Sequence, residues 1–266
     1  MSDLAAAAIL GLVQGLTEFL PVSSTAHLIL VAGALGLDTQ KFGLSFDVAL
    51  HLGTALAVLL YFARTWFGLV ADLLARRWRM PLLVLVGTLP AAIAGVLLES
   101  TVEKTLRAPI WIVLGLVAGS IVFVAVERIA VRRRLMTELS VTDAIFMGAA
   151  QAIALLPGIS RSGITISAGL LRELTREEAT RFSFLLATPV ILGAGAKTLL
   201  DVRKAAELFA APDVLAVGFL VSFVSGLAAV AFLVRFLRTH SLNWFVAYRL
   251  LLAAVVLIAL AAGLPV

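Results

Sequence analysis

Long apolar runs constrain this chain more than any other feature. Val48 to Phe62, Pro81 to Leu98 and Ala247 to Val266 are almost free of charge, and each approaches the ~20 residues that a helix needs to cross the hydrocarbon of a bilayer. Backbone groups in that layer must be satisfied internally, so only helices and closed barrels cross it. Barrel strands alternate apolar and polar residues, and these runs do not alternate. The chain reads as an all-α membrane protein. With 62% hydrophobic and 14% charged residues, it lies far from soluble domains, which run near half apolar and a quarter charged.

The absence of cysteine excludes disulfides, thiolate metal sites and cysteine nucleophiles. A formal charge of +5 would suggest nucleic acid in a soluble protein. Here the basic residues sit in short loops, where they set topology and meet membrane lipids, so no nucleic-acid partner is expected. The N-terminus has no basic n-region or small-residue cleavage site and reads as mature protein.

Charged breaks at 64–79, 99–107, 127–142 and 172–181, with weaker ones at 201–213 and 235–243, leave six stretches long enough to span: 44–63, 80–98, 108–127, 182–200, 213–234 and 244–264. Two other apolar stretches are interrupted. Residues 4–37 break at Pro21 before Ser23, Ser24 and Thr25, and residues 143–171 break at Pro157-Gly158 before Ser160, Arg161 and Ser162. Each half is too short to cross, which is the length of a re-entrant hairpin. If both hairpins return to the side they enter, thirteen Arg fall on one side. Lys41, Lys104, Arg107, Arg203 and Lys204 fall on the other. The arginine-rich side is then cytoplasmic.

The hairpins resemble each other. Gly11-Leu-Val-Gln14 and Gly148-Ala-Ala-Gln151 each lead into Leu-Pro, a Ser-rich turn and a span begun by Phe46 or Phe182, with 35 residues from Gly to Phe in one copy and 34 in the other. The expectation is a single integral membrane domain, 1–266. It comprises two inverted-topology repeats, about 1–100 and 140–240, whose broken helices meet near the midplane.

The second break carries anion chemistry. Pro157 and Gly158 stop a helix, Ser160 can cap the next one, and the amides of Ser162 and Gly163 then face the break. Arg161 adds a planar, permanently charged fork suited to phosphate. The bland alternative pairs Arg161 with a carboxylate such as Glu18. In the first break Gln14 and Glu18 share a helical face at i,i+4. Ser23 or Ser24 can cap the following helix, with His27 on the same face. A hydroxyl beside a base is the minimum for a serine nucleophile or for a histidine acting as general acid. Glu18, the only carboxylate in this embedded run, must be paired, metal-bound or protonated. Asp47 and His51 have either a supporting or a capping role, Asp143 starts a helix, and Lys197 and Arg249 snorkel to a membrane surface. Gly115 and Gly119 permit close helix contact, within the chain or across a homodimer.

Two motifs carry a resemblance. Gln14-x-x-x-Glu18 running into Pro21-Val-Ser-Ser-Thr-Ala-His27, and Pro157-Gly-x-Ser160-Arg161-Ser162-Gly-x-Thr165, resemble the undecaprenyl-diphosphate phosphatases of the bacitracin-resistance type, and the likeness covers essentially the whole chain. It implies hydrolysis of a C55 polyprenyl diphosphate on the outer face of the bacterial cytoplasmic (inner) membrane, with a divalent cation, Mg²⁺ or Ca²⁺. By position it makes Ser24 the nucleophile, Glu18 and His27 its acid/base or metal-site partners, and Arg161 the diphosphate clamp. Ser160, Ser162, Gly163 and Thr165, with Ser23 and Thr25, would line the phosphate site. Gln14 stands where many members carry Glu, which leaves Glu18 as the one carboxylate for a metal. The competing class is a transporter, since inverted repeats with broken helices also build those.

Overall fold

The computed structural model describes residues 1–38, 41–106 and 108–263, without the side chains of 99, 100, 103 and 104. Arg107 and the side chain of Lys104, both counted above as outer-side charges, and the last residue of the final expected span lie outside the described residues. The described residues form α1 (Asp3–Phe19), α2 (Ser24–Ala34), α3 (Leu44–Tyr61), α4 (Ala63–Leu74), α5 (Arg79–Thr105) and α6 (Pro109–Ile129). After a short 3-10 turn at Met136–Glu138 come α7 (Val141–Ile153), α8 (Arg161–Leu171), α9 (Arg176–Leu200), α10 (Val202–Phe209), α11 (Pro212–Phe236) and α12 (Asn243–Ala261). Among these residues there is no strand, only an isolated bridge between Arg134 and Leu174.

Six helices are long and apolar enough to cross a membrane: α3, α5, α6, α9, α11 and α12. They match the six expected spans. The main differences are α5, which runs on to Thr105, and α9, which begins at Arg176 because Thr175 caps it and Glu177 and Glu178 sit at its positive N-terminal end. Besides the break at 99–107, most of which α5 crosses on its way to Thr105, two charged breaks read as loops are helical instead. They hold α4 and α10, whose apolar and polar residues separate onto opposite faces, so the charge that breaks a span does not break a surface helix.

Both interrupted stretches are helix–break–helix pairs, α1–α2 and α7–α8. Leu20 is extended (φ −63°, ψ 140°), as a residue before proline must be. At the second break Gly158 takes φ 92°, a conformation open to glycine. The residue before each outgoing helix is a serine in the left-handed half of backbone space: Ser23 at φ 75° and Ser160 at φ 76°. Non-glycine residues rarely hold that conformation, so two serines at equivalent points are a shared device. Asp143 starts α7 as expected, in a reciprocal cap with Ser140.

The packing is reciprocal. α1 lies against α11 and α7 against α5, while α6 and α12 pair with each other. Close approach depends on glycine at particular points. A Cβ at Gly15 would run into Ser225 and the α11 backbone, and one at Gly115 would strike Pro157 and Gly158. Gly115 and Gly119 are therefore used inside the chain, to seat the second break against α6. On the arginine-rich side Glu127 takes Arg132, Arg176 and the backbone N–H of Leu242. Asp143 takes Arg134 and Arg172. Glu127 thus ties the ends of α6, α9 and α12 together, and Asp143 ties the start of α7 to the end of α8 and to the segment that follows α6.

Candidate active site

The two breaks face each other. Ser23, at the N-cap of α2, makes no cap bond. Its hydroxyl accepts instead from the Gly158 N–H across the interface, at 3.0 Å. Beside this contact Glu18, in the last turn of α1, is 7% exposed and gathers four groups. Ser24 Oγ donates to Glu18 Oε2 at 2.6 Å, Gln14 Nε2 donates to the same oxygen at 3.0 Å, and Arg161 Nη2 reaches Oε1 at 2.5 Å. His51 Nε2 lies 3.3 Å from Oε2, with its Nδ1 on the Asp47 carbonyl at 2.7 Å. A group surrounded by donors on both oxygens is an acceptor-only carboxylate.

This cluster opens into a cavity of about 500 Å³. Glu18, Ser24, His51, Ser160 and Arg161 line one part of it. Ala91, Ala92, Val96, Pro189, Val190 and Ala194 from α5 and α9 form an apolar wall, and Lys197 and Lys204 also reach it. A polar end joined to an apolar wall suits an amphiphile.

Not every expected residue arrives there. Ser23, Ser24, Thr25, Ser160 and Arg161 line the cavity, and Gln14 sits behind Glu18, fully buried. His27 turns away. Its Nδ1 meets the Ser23 carbonyl at 2.7 Å and its Nε2 meets the Tyr248 hydroxyl at 2.6 Å, so the imidazole expected beside Ser24 faces α12. The hydroxyl rests on Glu18 instead. The amide of Gly163 does not face the break as an open donor, because Ser160 Oγ accepts it at 3.3 Å. Ser162 donates to the Leu20 carbonyl and Thr165 to the Arg161 carbonyl. For Gly163 and Thr165 the partner comes from their own helical turn, and for Ser162 it comes from the end of α1 across the interface. Arg161 pairs with Glu18, as one of its two readings had it, and also lines the cavity, and its remaining N–H groups bond to no described residue.

Two residues change standing. His51, given either a supporting or a capping role, is in contact with Glu18. Arg249 does not snorkel. It is fully buried, bonded to the Pro21 and Gly158 carbonyls at both breaks. Depth along a span suggests neither contact. The legible signal was chemical: an arginine, whose planar fork seeks several acceptors, faces a chain with glycines at 115 and 119. A divalent cation finds no preformed seat. No three His, Cys, Asp or Glu side chains among the described residues gather to hold one. Glu18 is fully engaged, and Gln14 offers a single buried, unpartnered Oε1.

Fold and site define a helical membrane protein in which a hydroxyl, a carboxylate and a guanidinium are joined across two broken helices inside an apolar bundle. The chain belongs to the family of bacitracin resistance protein BacA, whose family model matches residues 7–255. An undecaprenyl-diphosphatase of Rubrobacter xylanophilus is 45% identical over 268 residues, covering 96% of this chain and 98% of that protein. Undecaprenyl-diphosphatases of Thermodesulfovibrio yellowstonii, 40% identical over 258 residues (96% and 97%), and Corynebacterium diphtheriae, 44% over 268 (96% and 94%), are similar along the same extent.

Proposed function

We propose that this chain is an undecaprenyl-diphosphate phosphatase, releasing inorganic phosphate and returning the monophosphate lipid carrier to cell-wall synthesis, in keeping with the bacitracin resistance of its family. The observation that carries the reading is the 2.6 Å bond from Ser24 to Glu18, made where Arg161 from the other break reaches the same carboxylate.

Phosphoryl transfer asks a protein mainly for positioning and for charge stabilisation. As the diphosphate enters, Arg161 exchanges Glu18 for phosphate oxygens, and Glu18, relieved of its cation, becomes the stronger base. Ser24 Oγ attacks the terminal phosphorus, its proton passes to Glu18, and the bond to the bridging oxygen breaks. Glu18 hands that proton to the departing undecaprenyl phosphate, and phospho-Ser24 remains for water to hydrolyse; Glu18, ionised again, takes a proton from the attacking water and returns it to Ser24 Oγ as inorganic phosphate leaves. Ser160 and Thr25 line the same space and His51 steadies Glu18. Mg²⁺ or Ca²⁺ belongs to this proposal as a companion of the substrate, held mainly by diphosphate oxygens and water.

The two halves, each a broken pair, a span, a short helix and two further spans, fit an inverted repeat. The equivalent serines at the breaks and the reciprocal packing support it. Helices of 17, 11, 13 and 11 residues fit re-entrant hairpins rather than crossings. Lys204, on the lysine-containing side of the charge count, lines the cavity, which favours an opening to the outer face of the cytoplasmic membrane. A homodimer would have to use a face other than Gly115 and Gly119.

The test is phosphate release from a C55 or C15 prenyl diphosphate by purified protein in detergent, with Mg²⁺ and with EDTA. Wild type should turn over, and Ser24→Ala and Arg161→Ala should lose about 100-fold or more. No release from a folded, monodisperse wild-type sample sinks the hydrolase reading.

A further inference from the structure

Arg249 is the bulkiest fully buried side chain among the described residues, and no carboxylate among them faces it. A cation inside an apolar bundle is costly and is retained where it has a task. Its nitrogens are spent on oxygen acceptors: Ser120 Oγ at 3.1 Å, the Gly115 and Leu116 carbonyls of α6 at 3.2 and 3.0 Å, the Pro21 carbonyl at 3.1 Å and the Gly158 carbonyl at 2.8 Å. The guanidinium also lies over the Phe123 ring, 4.7 Å from its centroid.

The last two carbonyls matter most, because each sits in a break where no helical N–H serves it. Pro21 is two residues before Ser23 and three before Ser24. Gly158 is two before Ser160 and three before Arg161. Nη1 takes the first and Nη2 the second. One rigid fork therefore holds equivalent points of both breaks at the fixed spacing of two nitrogens. The residues that follow are the hydroxyl and the guanidinium that must meet at Glu18. The neighbouring Tyr248 adds a tie to the first hairpin through His27, its ring stacked parallel to the imidazole at 5.7 Å.

We propose that Arg249 is a positioning residue that sets the spacing of Ser24 and Arg161 by clamping the Pro21 and Gly158 carbonyls from one guanidinium. A lysine cannot replace it, since three donors on a single nitrogen do not span both carbonyls and Ser120. The kinetic half of the test rests on the phosphatase reading, and the exchange half does not.

The experiment uses the full chain in detergent: wild type, Arg249→Lys and Arg249→Met, the last removing the buried charge together with its bonds. Amide hydrogen exchange read by mass spectrometry should rise about tenfold in residues 20–24 and 156–162 together, with α6 and α12 unchanged. Phosphate release should show kcat down about 100-fold and KM within about threefold, the signature of misplacement rather than lost binding. Exchange unchanged in either break overturns the proposal, as does a raised KM at wild-type kcat. If neither variant folds, Arg249 is scaffold alone and the positioning role falls. Exchange that rises in both breaks while wild type releases no phosphate upholds the clamp and removes the phosphatase reading.

Discussion

Replacing Glu18 with Gln changes one atom of the site and should stop its chemistry while leaving its shape. The Ser24–Glu18 distance of 2.6 Å lies in the range of a hydroxyl on an ionised carboxylate, about 2.5–2.7 Å. An amide of the same size keeps a hydrogen-bond acceptor there but offers nowhere for the Ser24 proton to go. Loss of a general base costs about 10²–10⁴-fold, so kcat should fall about 10³-fold. The substitution also strips Arg161 of its counter-charge. Breaking a fully buried pair costs about 3–5 kcal/mol. The Arg161 side chain is 20% exposed and lines the cavity, so a loss nearer 1–3 kcal/mol is expected. For the same reason Arg161 no longer has to leave a carboxylate to meet phosphate, and KM should hold or fall. Phosphate release with a thermal melt on the same sample reads all three, and a rapid quench with labelled terminal phosphate should show no burst of phospho-Ser24. A kcat within threefold of wild type would refute the argument, because the serine proton would then go elsewhere. A KM raised tenfold at unchanged kcat would reduce Glu18 to a substrate ligand.

Asp143 offers a pH test at the arginine-rich surface, outside the six spans. Burial pushes its carboxyl up, but the Ser140 N–H and hydroxyl, Arg172 and Arg134 outweigh that and hold it at about 2, against an ordinary 3.8. A lowered pKa stabilises the fold above the unfolded value and loses that stabilisation as pH falls through the folded one. Asp143→Asn should therefore melt below wild type at pH 7, and the gap should close between about pH 4 and 2. At Gly115 a Cβ would strike Pro157 and come within 2.9 Å of the Gly158 Cα, so Gly115→Ala should cost about 1–3 kcal/mol. Gly68→Ala, at an exposed point inside α4 where nothing lies within 4 Å, should hold the melt or raise it by the roughly 0.5–1 kcal/mol that Ala gains over Gly in a helix, and equal behaviour of the two would refute the close-packing account.

Much of this protein was legible in its linear order because the bilayer allows so few solutions. Apolar runs of span length must be helices, and the six expected spans are helices in place. Proline and glycine beside serines announced both breaks, since their backbone limits act locally. Glu18, Ser24 and Arg161 stood out because polar groups in apolar stretches need a reason. What the residues alone left open was direction. His27 and Ser24 are close along the chain, yet the helix turns the imidazole to Tyr248, more than two hundred positions away in sequence. His51 and Arg249 could be placed only by packing: α3 brings one to Glu18, and α12 carries the other between the breaks. A side chain's partner across a helix bundle depends on rotation and contact between elements distant in sequence, and no local pattern encodes that. Spans, breaks and residue types were thus determined by composition and spacing, whereas the pairing of hydroxyl, carboxylate and guanidinium was decided by tertiary packing.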